Sequence, residues 1–525
     1  MIEKYIKWIN HPNLDPDILE ELTSIKDDKG QIEQRFHKDL EFGTAGLRGL
    51  IGAGTNRINI YTIRKAAYGL AGYILKNTPE GKLPSIAIAY DTRQNSKKFA
   101  WEICNIMLAC GVKAYIYDDI RSTPQLSFTI RHLDLVAGVM ITASHNPFQY
   151  NGVKVYWGDG GQISHPMDKE VMGCINALGD AIDLAAPAPC ELAPTYLSTE
   201  LDKAYLQAVA GLSLNPNLNR VNLNVAYTPL HGVALQPVLD ILSLGFANVH
   251  VVEEQAQPDP LFSTVKYPNP EEPSAFEMAI KLAEDIKADI TIATDPDGDR
   301  VGVMAKDGSG QYKLLNGNET GVILCEYILS QMSQKGILPL NAAIISTKAS
   351  TKLTREIAKA YDVHYEETST GSKNIAKKIG EWKRAKTHCF VYGFEESFGY
   401  MMGDFARDKD GIAACMLVCE VAALYKKQGK TLFDALDDIH QKYGYFKEAQ
   451  LSIPLQGVDN GLAVARDIEA KLKNITLGNG GWFLIRPSGT EPKIKIYMGT
   501  KADTRKKATD ALEKLRGIIH GKLDL

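Results

Sequence analysis

The chain has 525 residues, 45% of them hydrophobic, 23% charged and 8% aromatic, which is the composition of a soluble globular protein long enough to bury several ordinary cores. Its 59 Lys and Arg against 63 Asp and Glu leave a formal net charge of −4, which argues against a dedicated binder of nucleic acid or of an anionic membrane. Its eight cysteines form no Cys-x-x-Cys pair, no apolar run approaches a membrane span, and Met1 to Trp8 has neither a long apolar core nor a cleavage site, so a cytoplasmic protein is expected.

At about 150 residues per domain the length predicts three or four domains. The first 40 residues are charged and helix-like and lead into a Gly-rich segment, Phe42 to Gly54. Helical periodicity from Thr62 to Asn77 precedes a strand at Ser85 to Tyr90, a helix near Asn95 to Cys110 that stops at Gly111, and strands at Lys113 to Tyr117 and Leu135 to Thr142. The Pro-rich stretch Ala185 to Pro194 marks the approach to a domain boundary. Alternation resumes with strands at Asn222 to Tyr227, Asn248 to Val252 and Ile290 to Thr294, and helices at Val233 to Leu244 and Ser274 to Lys287. The prolines from Pro258 to Pro273 fall inside this unit and read as a loop. Helices near Glu319 to Gln334 and Thr351 to Tyr361 alternate with strands at Ala342 to Ser346 and His388 to Tyr392. Cys415 and Cys419 lie in an apolar run with no second ligand pair, which predicts a buried helix face and not a zinc site. After Tyr443 come helices near Gly461 to Lys473 and Thr504 to Ile519, with strands near Trp482 to Ile485 and Ile494 to Tyr497. The expected fold is therefore α/β: three α/β units in a row followed by a smaller C-terminal α+β domain. The divisions expected are 1–205, 206–318, 319–440 and 441–525.

Several apolar strands run straight into polar loops. Tyr90 meets Asp91-Thr92-Arg93, Thr142 meets Ala-Ser144-His145-Asn-Pro, Tyr227 meets Thr-Pro-Leu-His-Gly, Thr294 meets Asp295-Pro-Asp297-Gly-Asp299-Arg300, and Tyr392 meets Gly-Phe-Glu395-Glu-Ser397. Ligands of open α/β sheets bind beyond the carboxyl ends of strands, so these loops predict one site assembled from several units.

The aspartates at i, i+2 and i+4 after a buried strand can converge on a hard cation, for which magnesium is the expected identity. An EF-hand is excluded by spacing, because the sixth loop position is Arg300 and the twelfth Lys306. Ser144, in a tight turn after a strand, is a candidate nucleophile with His145 beside it, and no Gly-x-Ser-x-Gly elbow points to ester hydrolysis. Arg486-Pro-Ser488-Gly489-Thr490 offers a guanidinium, two hydroxyls and a glycine backbone to a phosphate. Glu395 and Ser397 can hydrogen-bond sugar hydroxyls. Gly43-Thr-Ala-Gly-Leu-Arg48-Gly is a flexible loop with one arginine and is not a dinucleotide fingerprint. Gly429-Lys430-Thr431 lacks the first glycine of a P-loop, since position 424 is Leu424.

The ordered set Thr-Ala-Ser-His-Asn-Pro, Asp-Pro-Asp-Gly-Asp-Arg, Gly-Phe-Glu-Glu-Ser and Arg-Pro-Ser-Gly-Thr-Glu-Pro resembles the α-D-phosphohexomutase superfamily. Phe42 to Gly49 and Tyr150 to Tyr156 resemble its phosphoglucomutase/phosphopentomutase branch, and the likeness runs from about Phe42 to Tyr497. The resemblance implies four domains around a central cleft, a phosphoserine at Ser144, and magnesium held by Asp295, Asp297, Asp299 and a phosphoserine oxygen. It further implies sugar readers at Glu395 and Ser397, and a clamp for the non-transferred phosphate at Arg486, Ser488, Gly489 and Thr490. Arg300 and Gly371 are counted with the substrate-binding residues. Arg48, His145, Lys154 and Lys409 match basic positions near the reacting groups, with the general acid and base open among them. Priming by a sugar bisphosphate such as glucose 1,6-bisphosphate is implied. Sugar phosphates are the expected partners, and a monomer is expected, with a dimer as the alternative. Thr368-Ser-Thr-Gly371-Ser372-Lys373 resembles the specificity loop, but Ser372 stands where glucomutases of the branch often carry a bulkier residue. Glucose phosphate is expected, with mannose and pentose phosphates open. A phosphatase built on the aspartates would leave Ser144 and the Arg486 loop without roles, and a non-enzymatic sensor would leave the whole charged set without one.

Overall fold

The computed structural model describes residues 1–523 apart from 44–45, 221, 246, 456–460, 474, 476, 478–479 and 488–492. Three mixed sheets and one antiparallel sheet follow one another along the chain. In the first, the central strands Ser85–Tyr90 and Ala137–Ile141 run parallel, with Tyr150–Trp157 and Gly46–Leu50 antiparallel on one side and Lys113–Ile116 on the other. In the second, Asn248–Val251, Asn224–Thr228 and Ile290–Thr294 are parallel, and Val301–Lys306 and Tyr312–Leu315 are antiparallel. In the third, His364–Thr368, Ala342–Thr347 and Cys389–Glu395 are parallel and Gly399–Met402 is antiparallel. In the fourth, Lys493–Ala502 lies between Tyr445–Pro454 and Trp482–Pro487.

The strand–helix alternation expected from the sequence holds, but three loops with candidate chemistry are built differently. Each leads from a central parallel strand directly into an antiparallel neighbour and not into a helix: Ile141 to Tyr150, Thr294 to Val301, and Glu395 to Gly399. A return strand right after a turn presents the loop at the sheet edge with both ends anchored in the ladder. The close return needs glycine at Gly152, where a Cβ would sit 2.4 Å from the Leu47 carbonyl oxygen of the next strand.

Side-chain alternation explains how the sheets join. Along Ser85–Tyr90, Ile86, Ile88 and Tyr90 face a core shared with the helices Ile60–Asn77 and Ser96–Ala109. Ala87 and Ala89 face the opposite way, into a core that continues through Tyr227, Ile292, Ile344 and Tyr392 of the second and third sheets. The helix Gly411–Lys426 runs through this shared core, and its Cys415 and Cys419 are both fully buried. Such all-round apolarity is what a helix buried on every side requires. Glu420 interrupts the run and is also fully buried. Its carboxylate accepts the Leu214 and Asn215 backbone N–H groups at 2.7 Å each and the hydroxyls of Ser213 and Tyr327. The turn that leaves the first sheet is thereby tied to the helix of the third.

The N-terminal helices Ile2–Ile9, Pro16–Ser24 and Lys29–Phe36 bury Trp8, Leu22 and Phe36 in a small core of their own. The Pro-rich stretch ends in Thr195–Tyr196, which adds a last strand to the first sheet. The C-terminal sheet packs Ile494, Ile496 and Met498 on the helices Gly461–Leu472 and Arg505–Leu523. All eight cysteines are free, and no helix among the described residues is long and apolar enough to cross a membrane.

Asp410 caps the central helix, accepting from Ala413 N–H at 2.9 Å and from the Tyr205 hydroxyl at 2.9 Å. Burial nevertheless pushes its carboxyl up to about 6. The folded state therefore holds this proton more tightly than the unfolded chain, whose value is about 3.9. The contribution is present in full below that value and is lost as the pH rises through the folded one. Asp410→Asn keeps an acceptor for the cap and removes that loss. Urea unfolding should find the variant more stable than the parent by on the order of 1–3 kcal/mol at pH 7.5, with the gap closing toward pH 4; an offset independent of pH would contradict the assignment.

Candidate active site

The loop after Ile290–Thr294 turns tightly at Gly298, with φ +68°, and folds Asp295, Asp297 and Asp299 back over the strand end. All three are buried, and they offer one oxygen each within 4.8 Å of one another. Each carboxylate also has an oxygen committed to the protein. Asp295 Oδ1 accepts the N–H groups of Asp299 and Arg300 at 3.1 and 3.0 Å. Asp297 Oδ2 accepts from Lys154 Nζ at 2.6 Å and from the Thr123 hydroxyl at 2.7 Å. Asp299 Oδ2 accepts from Lys154 Nζ at 3.0 Å and lies 3.2 Å from Lys409 Nζ. Asp297 Oδ1 and Asp299 Oδ1 are buried with no hydrogen-bond partner.

Ser144 comes from the first sheet. Its N–H donates to Thr142 Oγ1 at 2.7 Å, and its backbone is left-handed with φ +52°. That conformation is uncommon outside glycine. It aims Oγ across to the second sheet, where the hydroxyl donates to Asp295 Oδ2 at 2.8 Å. His145 Nδ1 lies 3.3 Å from the same Oγ. Burial, then Arg300 and Arg48, push the His145 imidazole well below its usual value, so it is neutral at physiological pH. Arg48 donates to Asn146 Oδ1 at 2.8 Å, and burial brings its guanidinium down to about 10.

The charges interlock across the sheets. Burial alone would drag the Lys154 and Lys409 ammonium groups down, but Asp297 and Asp299 around the first, and Asp299 and Asp408 around the second, hold both above the ordinary lysine range. Burial would likewise raise Asp299, yet Lys154, Lys409 and Arg300 hold it far below the carboxylate range. Asp295 has no such lysine. Burial and the charges of Asp297 and Asp299 push it well up. Three carboxylates with two orphaned oxygens and one member that resists ionisation form a site short of positive charge. An all-oxygen donor set of this kind fits a hard divalent cation.

The third sheet supplies Lys409, whose Nζ also donates to Ser372 Oγ at 3.2 Å, and Glu395, whose Oε1 accepts the Gly371 N–H at 2.6 Å. Ser397 sits partly exposed in the turn before Gly399–Met402. Arg300 pairs with Glu271 from the proline-rich loop. Arg486 lies on the fourth sheet, donating to the Tyr497 hydroxyl at 2.8 Å with Glu396 at 3.9 Å. Ser488, Gly489 and Thr490 lie outside the described residues. The structure therefore brings Ser144, His145, Arg48, Lys154, Lys409, Arg300 and the three aspartates into one network, while Glu395 and Gly371 join it through the Ser372 loop. Sequence reasoning missed Thr123, a residue in the first turn of the helix Thr123–His132 that carries no motif. It also missed Asp408, which pairs with Lys409 at 3.2 Å.

Comparison with known proteins identifies the family and its domains. The four domain descriptions of the phosphoglucomutase/phosphomannomutase family match in order: the alpha/beta/alpha domains I, II and III at residues 39–181, 203–308 and 316–443, and the C-terminal domain at 430–515. The chain belongs to this family. A Staphylococcus haemolyticus protein named phosphoglucomutase is 37% identical over 515 residues, covering 90% of this chain and 92% of its own. Among solved structures, a putative phosphomannomutase from Thermus thermophilus shares the fold at a TM-score of 0.69 and 24% identity, covering 92% of this chain and 99% of its own. An Aspergillus fumigatus N-acetylphosphoglucosamine mutase variant in complex with glucose 1,6-bisphosphate shares the fold at 0.53 and 14% identity, covering 97% and 99%. Membership of the family establishes the superfamily and the three-plus-one domain architecture read from the motifs.

Lys154→Met tests the charge balance directly. Removing one partner of a buried ion pair costs about 3–5 kcal/mol, so the urea midpoint should fall in chelator. Adding millimolar magnesium should recover part of the deficit in the variant, because a cation among the carboxylates replaces the missing charge. An equal deficit with and without magnesium would place the cation elsewhere.

Proposed function

We propose that the protein interconverts glucose 1-phosphate and glucose 6-phosphate through a phosphorylated Ser144 and a glucose 1,6-bisphosphate intermediate. The observation that carries this reading is the hydrogen bond from Ser144 Oγ to Asp295 Oδ2 at 2.8 Å, which joins a nucleophile on one sheet to a carboxylate cluster on another. In the forward half, the phosphoryl group leaves Ser144 Oγ for the free hydroxyl of the bound sugar monophosphate; a base takes the sugar hydroxyl proton and an acid delivers a proton to the departing Ser144 Oγ. The bisphosphate then presents its other phosphate, which returns to Ser144 Oγ; the serine proton goes to a base and the sugar oxygen left behind takes up a proton.

Asp295, Asp297, Asp299 and an oxygen of phosphorylated Ser144 would hold one magnesium ion, which when bound neutralises charge on the transferring phosphoryl group. Lys154 and Lys409 keep Asp297 and Asp299 ionised. Arg48 and Arg300 add positive charge where the phosphoryl oxygens are exchanged. His145 lies within reach of Oγ and stands with Arg48, Lys154 and Lys409 as a candidate for moving its proton. Gly371, Glu395 and Ser397 face the sugar hydroxyls, and Arg486 with Ser488, Gly489 and Thr490 holds the phosphate that is not reacting. In this reading residues 1–205 carry the nucleophile, 206–318 the metal loop, 319–440 the sugar loop and 441–525 the phosphate clamp.

Phosphatase chemistry through an aspartyl nucleophile is disfavoured by the geometry. Asp295 is engaged by Ser144, and the committed oxygen of Asp297 by Lys154 and Thr123. Glucose phosphate is chosen over mannose and pentose phosphates on the name of the bacterial relative.

In a coupled assay with magnesium and trace glucose 1,6-bisphosphate, purified protein should convert glucose 1-phosphate to glucose 6-phosphate faster than it converts mannose 1-phosphate or ribose 1-phosphate. Ser144→Ala should lower kcat by at least about 1,000-fold, the scale expected when a covalent nucleophile is deleted. Release of inorganic phosphate without isomerisation would refute the mutase reading.

A further inference from the structure

Arg93 ends one of the polar loops at a strand terminus, yet none of the roles above uses it. It is buried, and its guanidinium is wrapped by the turn that carries Ser144. Nη1 donates to the carbonyl oxygens of Pro147 at 2.9 Å and Tyr150 at 3.1 Å. Nη2 donates to the carbonyl oxygen of Asn146 at 2.5 Å and to that of Ser144 itself. Nε lies 3.4 Å from Asp91 Oδ2, while Asp91 Oδ1 accepts the Arg93 N–H at 3.0 Å and the Ser96 hydroxyl at 2.7 Å. On the other side the Phe262 ring, from the unit that carries the aspartates, covers the guanidinium carbon at 4.9 Å.

A left-handed residue other than glycine persists only where its surroundings over-determine it. Here four carbonyls from one seven-residue turn converge on a single planar fork, a geometry that a lysine ammonium does not reproduce. We propose that Arg93 is the positioning residue that holds Ser144 in its left-handed conformation and so keeps Oγ aimed at Asp295. The ring of Phe262 sets the height of the same guanidinium against the second sheet, so one side chain aligns the nucleophile turn and the aspartate loop together. The proposal rests on Ser144 being the phosphoryl carrier. A misplacement of about 1 Å at a reacting atom can lower a rate about 100-fold without loss of substrate binding.

The experiment compares wild type, Arg93→Lys and Arg93→Ala in the mutase assay, with thermal melting of each and with guanidinium chloride added at tens of millimolar, sodium chloride serving as control. Both variants should lose about 100-fold in kcat with KM within about 3-fold of the parent. Guanidinium, and not sodium, should restore at least about 10-fold to the alanine variant by refilling the site. If the alanine variant does not fold, the lysine variant carries the test through its kcat and KM alone. A kcat near the parent's would overturn the proposal. So would a loss of activity that follows the melting temperature, with KM rising in step and no guanidinium rescue. Absence of isomerase activity in the wild type would instead overturn the assignment of Ser144, and the two failures are separate readings of one assay.

Discussion

Three carboxylates buried together cannot all be ionised without compensating charge, and groups from neighbouring units answer that demand. Asp297 and Asp299 are matched by Lys154 from the first sheet and Lys409 from the third, and Thr123 from a helix of the first adds a hydroxyl. The set thus draws on three units of the chain. The acidic loop therefore acts as a charge template on which two other units close. What two lysines leave uncompensated is concentrated on Asp295, the carboxylate that Ser144 meets.

Apolar packing makes this closure geometrically definite. The strand Ser85–Tyr90 turns one face to its own domain's core and the other to the core that includes Tyr227 and Tyr392 of the neighbouring sheets. With the helix Gly411–Lys426 inside that core, the strand ends of the three units are fixed relative to one another before any polar contact is counted. Glu420 adds directional hydrogen bonds to what would otherwise be a greasy, slip-prone helix. The C-terminal sheet has a separate core and reaches the rest through the Tyr445–Pro454 strand and contacts such as Thr351 with Glu448. Its position is therefore less constrained by burial than that of the first three units.

The distinction between these forces also explains what could be read from residues in order. The aspartates were legible because their spacing and their place after an apolar strand are local facts. So were the central parallel strands, whose unbroken apolar runs reflect burial on both faces. The return strands Val301–Lys306 and Gly399–Met402 were not, since in strand–helix alternation a helix is expected after each loop, and each strand is defined by antiparallel pairing with the strand before it. Tyr445–Pro454 was missed for a different reason: all ten of its residues pair with Lys493–Ala502, so its identity is set by a partner about fifty residues away. Thr123 touches the site only through tertiary contact, and no local pattern marks a residue of that kind; Asp408 adjoins Lys409 in the chain, but its burial against the Tyr156 hydroxyl is a tertiary fact. Arg93 had the right address, at a strand end, but its partners are carbonyls, which leave no trace in residue type.

In the proposed reaction the same oxygen, Ser144 Oγ, alternately carries a proton and a phosphoryl group, so the charge beside Asp295 changes by roughly two units in each half-cycle. A site in which all three aspartates responded to that change would rearrange at every turnover. The lysines prevent it. Lys154 and Lys409 tether Asp297 and Asp299, and the Asp295 oxygen that does not meet Ser144 is pinned by the Asp299 and Arg300 N–H groups. One carboxylate is thus left free to exchange partners while its geometry is held, and the others keep the cluster's shape. A nucleophile turn gathered around a buried arginine obeys the same logic from the opposite side: the atoms that must change chemistry are few, and everything around them is arranged so as not to move.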